Sequence, residues 1–166
     1  MPMKTALIAL SLAASLAAVS PASAQNATQV AKVQAGGSCP HCNLFQADLG
    51  NKTMIHRNLA GARLRQSDMS LSALDYTTMA GADLRDVNGY AGRFTGVNFS
   101  GADMTNSTFV GAYLGGANLR GARLAGANFS GAEMAKAVGL TQAQLNAACG
   151  DEKTTLPNGL HILACK

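Results

Sequence analysis

Stepping through the chain five residues at a time from Leu44 to Met134, Leu, Met or Phe falls at eighteen of nineteen positions, and only Gly89 breaks the series. Two residues before most of these centres stands a small side chain, from Ala47, Ala62 and Ser67 through Ala127 and Ala132, with Lys52 and Arg57 as bulky exceptions. Gly precedes the centre by three at nine positions between Gly61 and Gly131, where a chain turning a corner uses freedom at positive φ. An α-helix would return apolar residues at three and four, and a strand at every second residue, so a period of five demands another geometry. The composition agrees. Hydrophobic residues make up 48% of the chain but aromatic ones only 5%, so the interior must form from many small contacts and close backbone approach. With 13% charged residues it is not composed like a disordered tail, and 166 residues hold one domain, alone or behind a targeting segment.

The units Ala82-Asp83-Leu84, Ala102-Asp103-Met104, Ala117-Asn118-Leu119 and Ala127-Asn128-Phe129 resemble the pentapeptide-repeat family over residues 44–134. The resemblance implies an all-β, right-handed quadrilateral β-helix in which each pentapeptide forms one side and four make a coil. Nineteen units then give roughly 4.6 coils, and at about 4.8 Å per stacked strand the column is on the order of 22 Å tall. Residues twenty apart should stack. The implied columns are Leu44/Leu64/Leu84/Met104/Leu124, Leu49/Met69/Gly89/Phe109/Phe129, Met54/Leu74/Phe94/Leu114/Met134 and Leu59/Met79/Phe99/Leu119. Each buried centre should contribute about 1.5 to 3 kcal/mol. Beneath Phe109, Gly89 leaves a gap for Tyr90 or Phe109 to fill, and a local distortion is expected near Asn88 to Gly92.

The residue before each centre should point outward. Stacking then sets Arg63 over Asp83 and Asp103 under Arg123, pairs worth about 0 to 1 kcal/mol when exposed. It also sets Asn58, Thr78, Asn98 and Asn118 in a polar ladder. Some members of the family imitate DNA, which needs a strongly negative column. Residues 44–134 instead carry eight basic and seven acidic side chains. No nucleic-acid partner is expected.

Both ends differ from the repeat. Residues 1–24 read as a secretory signal peptide: Lys4, the uncharged run Ala6 to Val19, then Pro21 and Ala22-Ser23-Ala24, with cleavage before Gln25. The run is too short to span a membrane. Without Lys4 the net charge falls from +4 to +3. Residues 25–43 form an N-terminal lead-in, 44–138 the repeat and 139–166 a C-terminal cap.

Four cysteines in an exported chain argue for disulfides. Cys39 and Cys42 precede the repeat while Cys149 and Cys165 follow it, so a single zinc cannot gather all four across the column. Thr141-Gln142-Ala143-Gln144 matches a capping box, and Thr141 to Ala148 should form a short helix across the open end. A Cys149–Cys165 bridge would clamp the segment after it. Cys39-Pro40-His41-Cys42 resembles the active-site tetrapeptide of the periplasmic thiol-oxidase family, which would make Cys39 the nucleophile and Cys42 the resolving thiol. The other reading of those four residues is a local bridge or turn opening the first coil. The sequence therefore predicts an exported, non-enzymatic solenoid, periplasmic or secreted, without metal or cofactor. It would act as a monomer or dimer on an unidentified protein partner; the alternative is a thiol-disulfide protein working through Cys39 and Cys42.

Overall fold

The computed structural model describes residues 25–166; residues 1–24, read from the sequence as a signal peptide, lie outside the described residues. The period of five closes into a stack. Parallel bridges join residues twenty apart without interruption, from Asn43↔Arg63 through Thr78↔Asn98 to Tyr113↔Glu133, so each coil is four five-residue units. Every unit repeats one design. The residue before the centre makes the bridge, the centre turns inward, and the next two residues form the corner.

From His41 to Gly131 the second corner residue lies in the left-handed region, with φ of 66° at Gly101, 55° at Leu71 and 56° at Tyr76. A turn bond then closes most corners, as from Ala102 N–H to the Phe99 carbonyl at 3.0 Å, while Arg57 N–H instead meets the Thr77 hydroxyl. The predicted core centres Leu64, Leu84, Phe94, Phe99, Met104, Phe109, Leu114, Leu119, Leu124 and Phe129 are all buried. So are the small residues two before them, where Ser72, Thr77 and Ser107 give their hydroxyls to carbonyls of Met69, Met54 and Met104. The coil itself thus satisfies these three hydroxyls, while the Ser67 hydroxyl at the same position is buried without a partner among the described residues.

The expected distortion at Gly89 is absent. Gly89 N–H still meets the Thr108 carbonyl at 2.7 Å and Ala91 N–H the Val110 carbonyl at 2.9 Å, so the register is kept. Aromatic rings fill the gap instead: a Cβ on Gly89 would come 2.7 Å from Phe109 Cε1 and 3.3 Å from Phe94 Cζ. Phe109 packs edge-on to Phe94 and Phe99, at centroid distances of 5.2 and 6.0 Å, and stacks on Phe129 at 5.9 Å. Tyr90 stays outside.

Both ends are covered. At the N-terminal end lies α1, Ala27–Gln34, which the sequence reading missed. Asn26 caps it by accepting from Gln29 N–H, and Val30 and Val33 turn their apolar edge into the column. Its side chains reach the first coil's open backbone: Gln29 Oε1 accepts from Asn43 N–H at 2.7 Å and Gln34 Nε2 donates to the Asp48 carbonyl at 2.7 Å. Bonds that a further coil would make are thereby replaced.

At the other end, α2 spans Gln142–Leu145 and is shorter than the predicted Thr141 to Ala148. The capping box on Thr141 and Gln144 is present. Gln144 Nε2 also donates to the carbonyls of Leu119 and Ala122, both at 2.8 Å, so the first turn is bound to the last coil. Beyond it the chain rejoins the stack as β1, Cys149–Gly150, over Asn128, and Thr155 over Glu133. β2, Leu163–Ala164, lies parallel to β1. No helix among the described residues is long and apolar enough to cross a membrane.

Candidate functional site: the third side of the column

The two cysteine pairs are both bridged. Cys39 stands five residues before Leu44, at a centre position, and Cys42 five before Ala47, at a small-residue position; they are 4% and 6% exposed. Cys39 N–H donates to the Asn58 carbonyl and His41 N–H to the Ala60 carbonyl, both at 2.8 Å, as corresponding residues do in later coils. The tetrapeptide is therefore one more corner of the stack, with its bridge in place of a Leu–Ala contact. It opens no helix. The helix start that would favour a thiolate is not there, and the sulfurs face the core. Cys149 sits in β1 and its partner Cys165 follows β2, which ties the chain's end to the last coil.

Attention then moves to the outer surface. Wherever Asp or Asn precedes a centre, its side-chain oxygen accepts from the backbone N–H two residues on, as in Asp48 to Gly50 at 3.1 Å, Asn98 to Ser100 at 3.0 Å and Asn128 to Ser130 at 2.9 Å. These side chains brace the corner, which accounts for their frequency. The ladder role is secondary, although Asn118 does reach Asn98 at 3.3 Å. Of the expected charge pairs, Arg123 meets Asp103 at 3.9 Å. Asp83 is engaged by both ends of the Arg85 guanidinium at 2.7 Å, which holds its carboxyl below the usual range, while Arg63 lays its guanidinium 4.8 Å over the Phe45 ring.

One side abandons this device. The third, whose centres are Met54, Leu74, Phe94, Leu114 and Met134, places Thr53, Ala73, Arg93, Tyr113 and Glu133 at the outward position, with no Asp or Asn among them. The same side and its two corners hold Leu71, Tyr76, Tyr90 and Tyr113, all the large exposed apolar side chains of residues 39–134. Tyr76 stacks on His56 at 5.1 Å and lies against Gly96. Asp75, buried at the corner, grips Arg93 Nε at 2.6 Å and Thr95 N–H at 3.0 Å, fixing the centre of the face. At its upper end a concavity of about 190 Å³ opens between Tyr113, Glu133, Lys136 and Thr155. The sequence reading overlooked this side. Its signal was the missing Asp/Asn in a single column of the outward positions. Among the described residues no three His, Cys, Asp or Glu side chains gather as a metal site.

Two family models match, both described as pentapeptide repeats, over residues 58–88 and 93–143. No curated protein matches. Among solved structures, a pentapeptide repeat protein of the Arabidopsis thaliana thylakoid lumen is 20% identical, with a TM-score of 0.29 over 66% of this chain and 61% of its own. One from the cyanobacterium Cyanothece is 21% identical, at 0.32 over 66% and 64%. This chain thus spans about three fifths of the length of either. QnrB1, a plasmid-mediated fluoroquinolone resistance protein, is 17% identical, at 0.36 over 78% and 80%.

Proposed function

The chain belongs to the pentapeptide-repeat family, and from that premise we propose that it is an exported, non-enzymatic interaction module that docks a protein partner on its third side. The column is read as right-handed, the hand that the family implies. Residues 1–24 act as the export signal, so the working protein begins at Gln25 in the periplasm or outside the cell. In such a compartment both disulfides persist.

The observation that carries the docking role is the departure of a single side from the corner-bracing rule. A protein breaks its local rules where another requirement outweighs them. Here the third side gives up Asp and Asn, and it carries Arg93 and exposed tyrosines, residue types that dominate binding hot spots. Because its backbone N–H and C=O groups are spent on neighbouring coils, the face can recognise a partner through side chains alone. Cys39 and Cys42 enter as part of the core, which speaks against the thiol-oxidase alternative.

The test is a pair of surface variants compared by crosslinking in the producing cell. Leu71→Ser, Tyr76→Ser and Tyr90→Ser together should remove the crosslinked partner while the melting temperature shifts little. The matched set Asn58→Ser, Thr78→Ser, Asn98→Ser and Asn118→Ser, on the fourth side, should leave it. The reverse pattern would move the docking face, and a mature mass that still included residues before Gln25 would refute the export signal.

A further inference from the structure

On the reading that the third side is a docking face, we infer that the concavity at its upper end is the anchor pocket of the interface and receives an arginine side chain of the partner. Its volume, about 190 Å³, is the room of about six waters. Gly115 and Ala135, which have no long side chain to fill it, also line it. The Tyr113 ring lies across Gly115, where an added Cβ would come within 2.7 Å of ring Cε1. One face of the ring is thus covered by the coil, and the residue keeps 37% of its surface exposed.

Glu133 stands directly after Tyr113 in the ladder, one strand spacing away. Among the acidic residues of the repeat it has an unusual position. Asp48 and Asp68 are spent on corner N–H groups, and Asp75, Asp83, Asp86 and Asp103 are held by arginines. The Glu133 carboxylate makes no hydrogen bond or ion pair with any described residue.

An open aromatic face beside an uncommitted carboxylate is the arrangement that a guanidinium satisfies. Its plane stacks on the ring while its forked N–H donors reach both carboxylate oxygens. A lysine ammonium offers a point charge without the plane or the fork. The pocket's other charged side chain defines the neighbour. The Lys136 ammonium also makes no hydrogen bond or ion pair with a described residue, and it would repel a second cation but accept a carboxylate. The motif that fits is therefore an arginine next to Asp or Glu.

The test uses the purified protein and three acetylated, amidated peptides in which arginine, lysine or citrulline precedes glutamate between glycines. Amide chemical shifts are followed by NMR. The arginine peptide should give saturable shifts centred on Gly115, Ala135 and Lys136, at least ten-fold tighter than citrulline and tighter than lysine. Glu133→Gln and Tyr113→Ala should each weaken it about ten-fold without changing the thermal melt. Equal binding of citrulline, or indifference to both substitutions, would overturn the anchor. Shifts confined to Ala73 and Arg93 would overturn the anchor but leave the docking face standing. Anchor binding that persists while the Leu71/Tyr76/Tyr90 variant keeps its cellular partner would instead discard the third side as the docking face.

Discussion

The lower and upper coils share one backbone but reach it with different residues. At the left-handed corners from 41 to 91, only Gly61 and Gly81 are glycine; the others include His41, Gln46, His56, Leu71, Tyr76 and Ala91. From 96 to 131 every such corner is glycine except Asn106. The cores differ too. Leu and Met fill the lower centres, while Phe94, Phe99, Phe109 and Phe129 cluster above. Yet the ladder does not change, with Leu64 N–H to the Asp83 carbonyl at 2.8 Å below and Phe109 N–H to the Asn128 carbonyl at 2.8 Å above. The comparison teaches that the stack is set by inward pairs and twenty-residue bonding, and that the corner residue is a local expense. A side chain there costs roughly 1–2 kcal/mol, less for Asn and Asp. Contacts along the corner offset part of it in the lower coils, where His56 stacks on Tyr76 and Gln46 meets Gln66 at 3.2 Å.

The largest expected effect breaks the feature that the two regions share. Leu84→Lys buries a charge with no partner in the lower core, and it should abolish the cooperative thermal transition. Near-wild-type melting would refute the stacking. In the upper core, Phe109→Ala should destabilise by about 3–5 kcal/mol in denaturant titrations. Adding Gly89→Leu should restore part of that loss, because the ring now occupies the place of the missing centre. Strictly additive losses would show that Phe109 does not fill the gap at Gly89.

The two ends sharpen the comparison further. Removing the Cys149–Cys165 bridge by paired alanines should lower stability by about 3 kcal/mol, and removing the shorter Cys39–Cys42 loop by about 2 kcal/mol, in the chain-entropy view. Exchanging corners gives a smaller and opposite pair. Gly101→Ala, whose new methyl meets nothing within 4 Å, should destabilise by about 1 kcal/mol through φ alone, while Leu71→Gly should stabilise by up to about 1 kcal/mol.

The smallest effect is electrostatic. Arg85 depresses the Asp83 pKa, so the folded state gains from ionised Asp83 above its unfolded value of about 4 and loses that gain as pH falls toward the folded value. Asp83→Asn should lower stability slightly at neutral pH and flatten the acid limb, so that the two proteins converge as pH falls through the folded value. An acid limb identical to wild type would remove Asp83 from the account.

How legible this was depended on what each feature is made of. The core columns could be read from residues such as Leu64, Leu84 and Phe129, because burial of a centre every five residues is written in side-chain type. Gly89 misled, since the sequence shows a missing side chain and not the Phe109 ring that leans into its place. The helix at Ala27–Gln34 escaped because only Val30 and Val33 mark its buried edge. Cys39 and Cys42 were read as outside the repeat, although they obey its spacing, because cysteine does not look like Leu or Ala. On the third side the outward residues Ala73, Arg93 and Tyr113 were in plain view, but their meaning depended on knowing that Asp and Asn brace corners elsewhere.

The central claim is that Cys39-Pro40-His41-Cys42 belongs to the core of an interaction module and that recognition lies on the third side. The most direct test is the reduction potential of the Cys39–Cys42 pair, measured by equilibrating the protein with thiol buffers and counting free thiols by mass. A buried structural bridge should lie below about −300 mV. A value near −120 mV, the oxidising end of the range, would mean that the pair carries thiol-disulfide chemistry and would contradict the account.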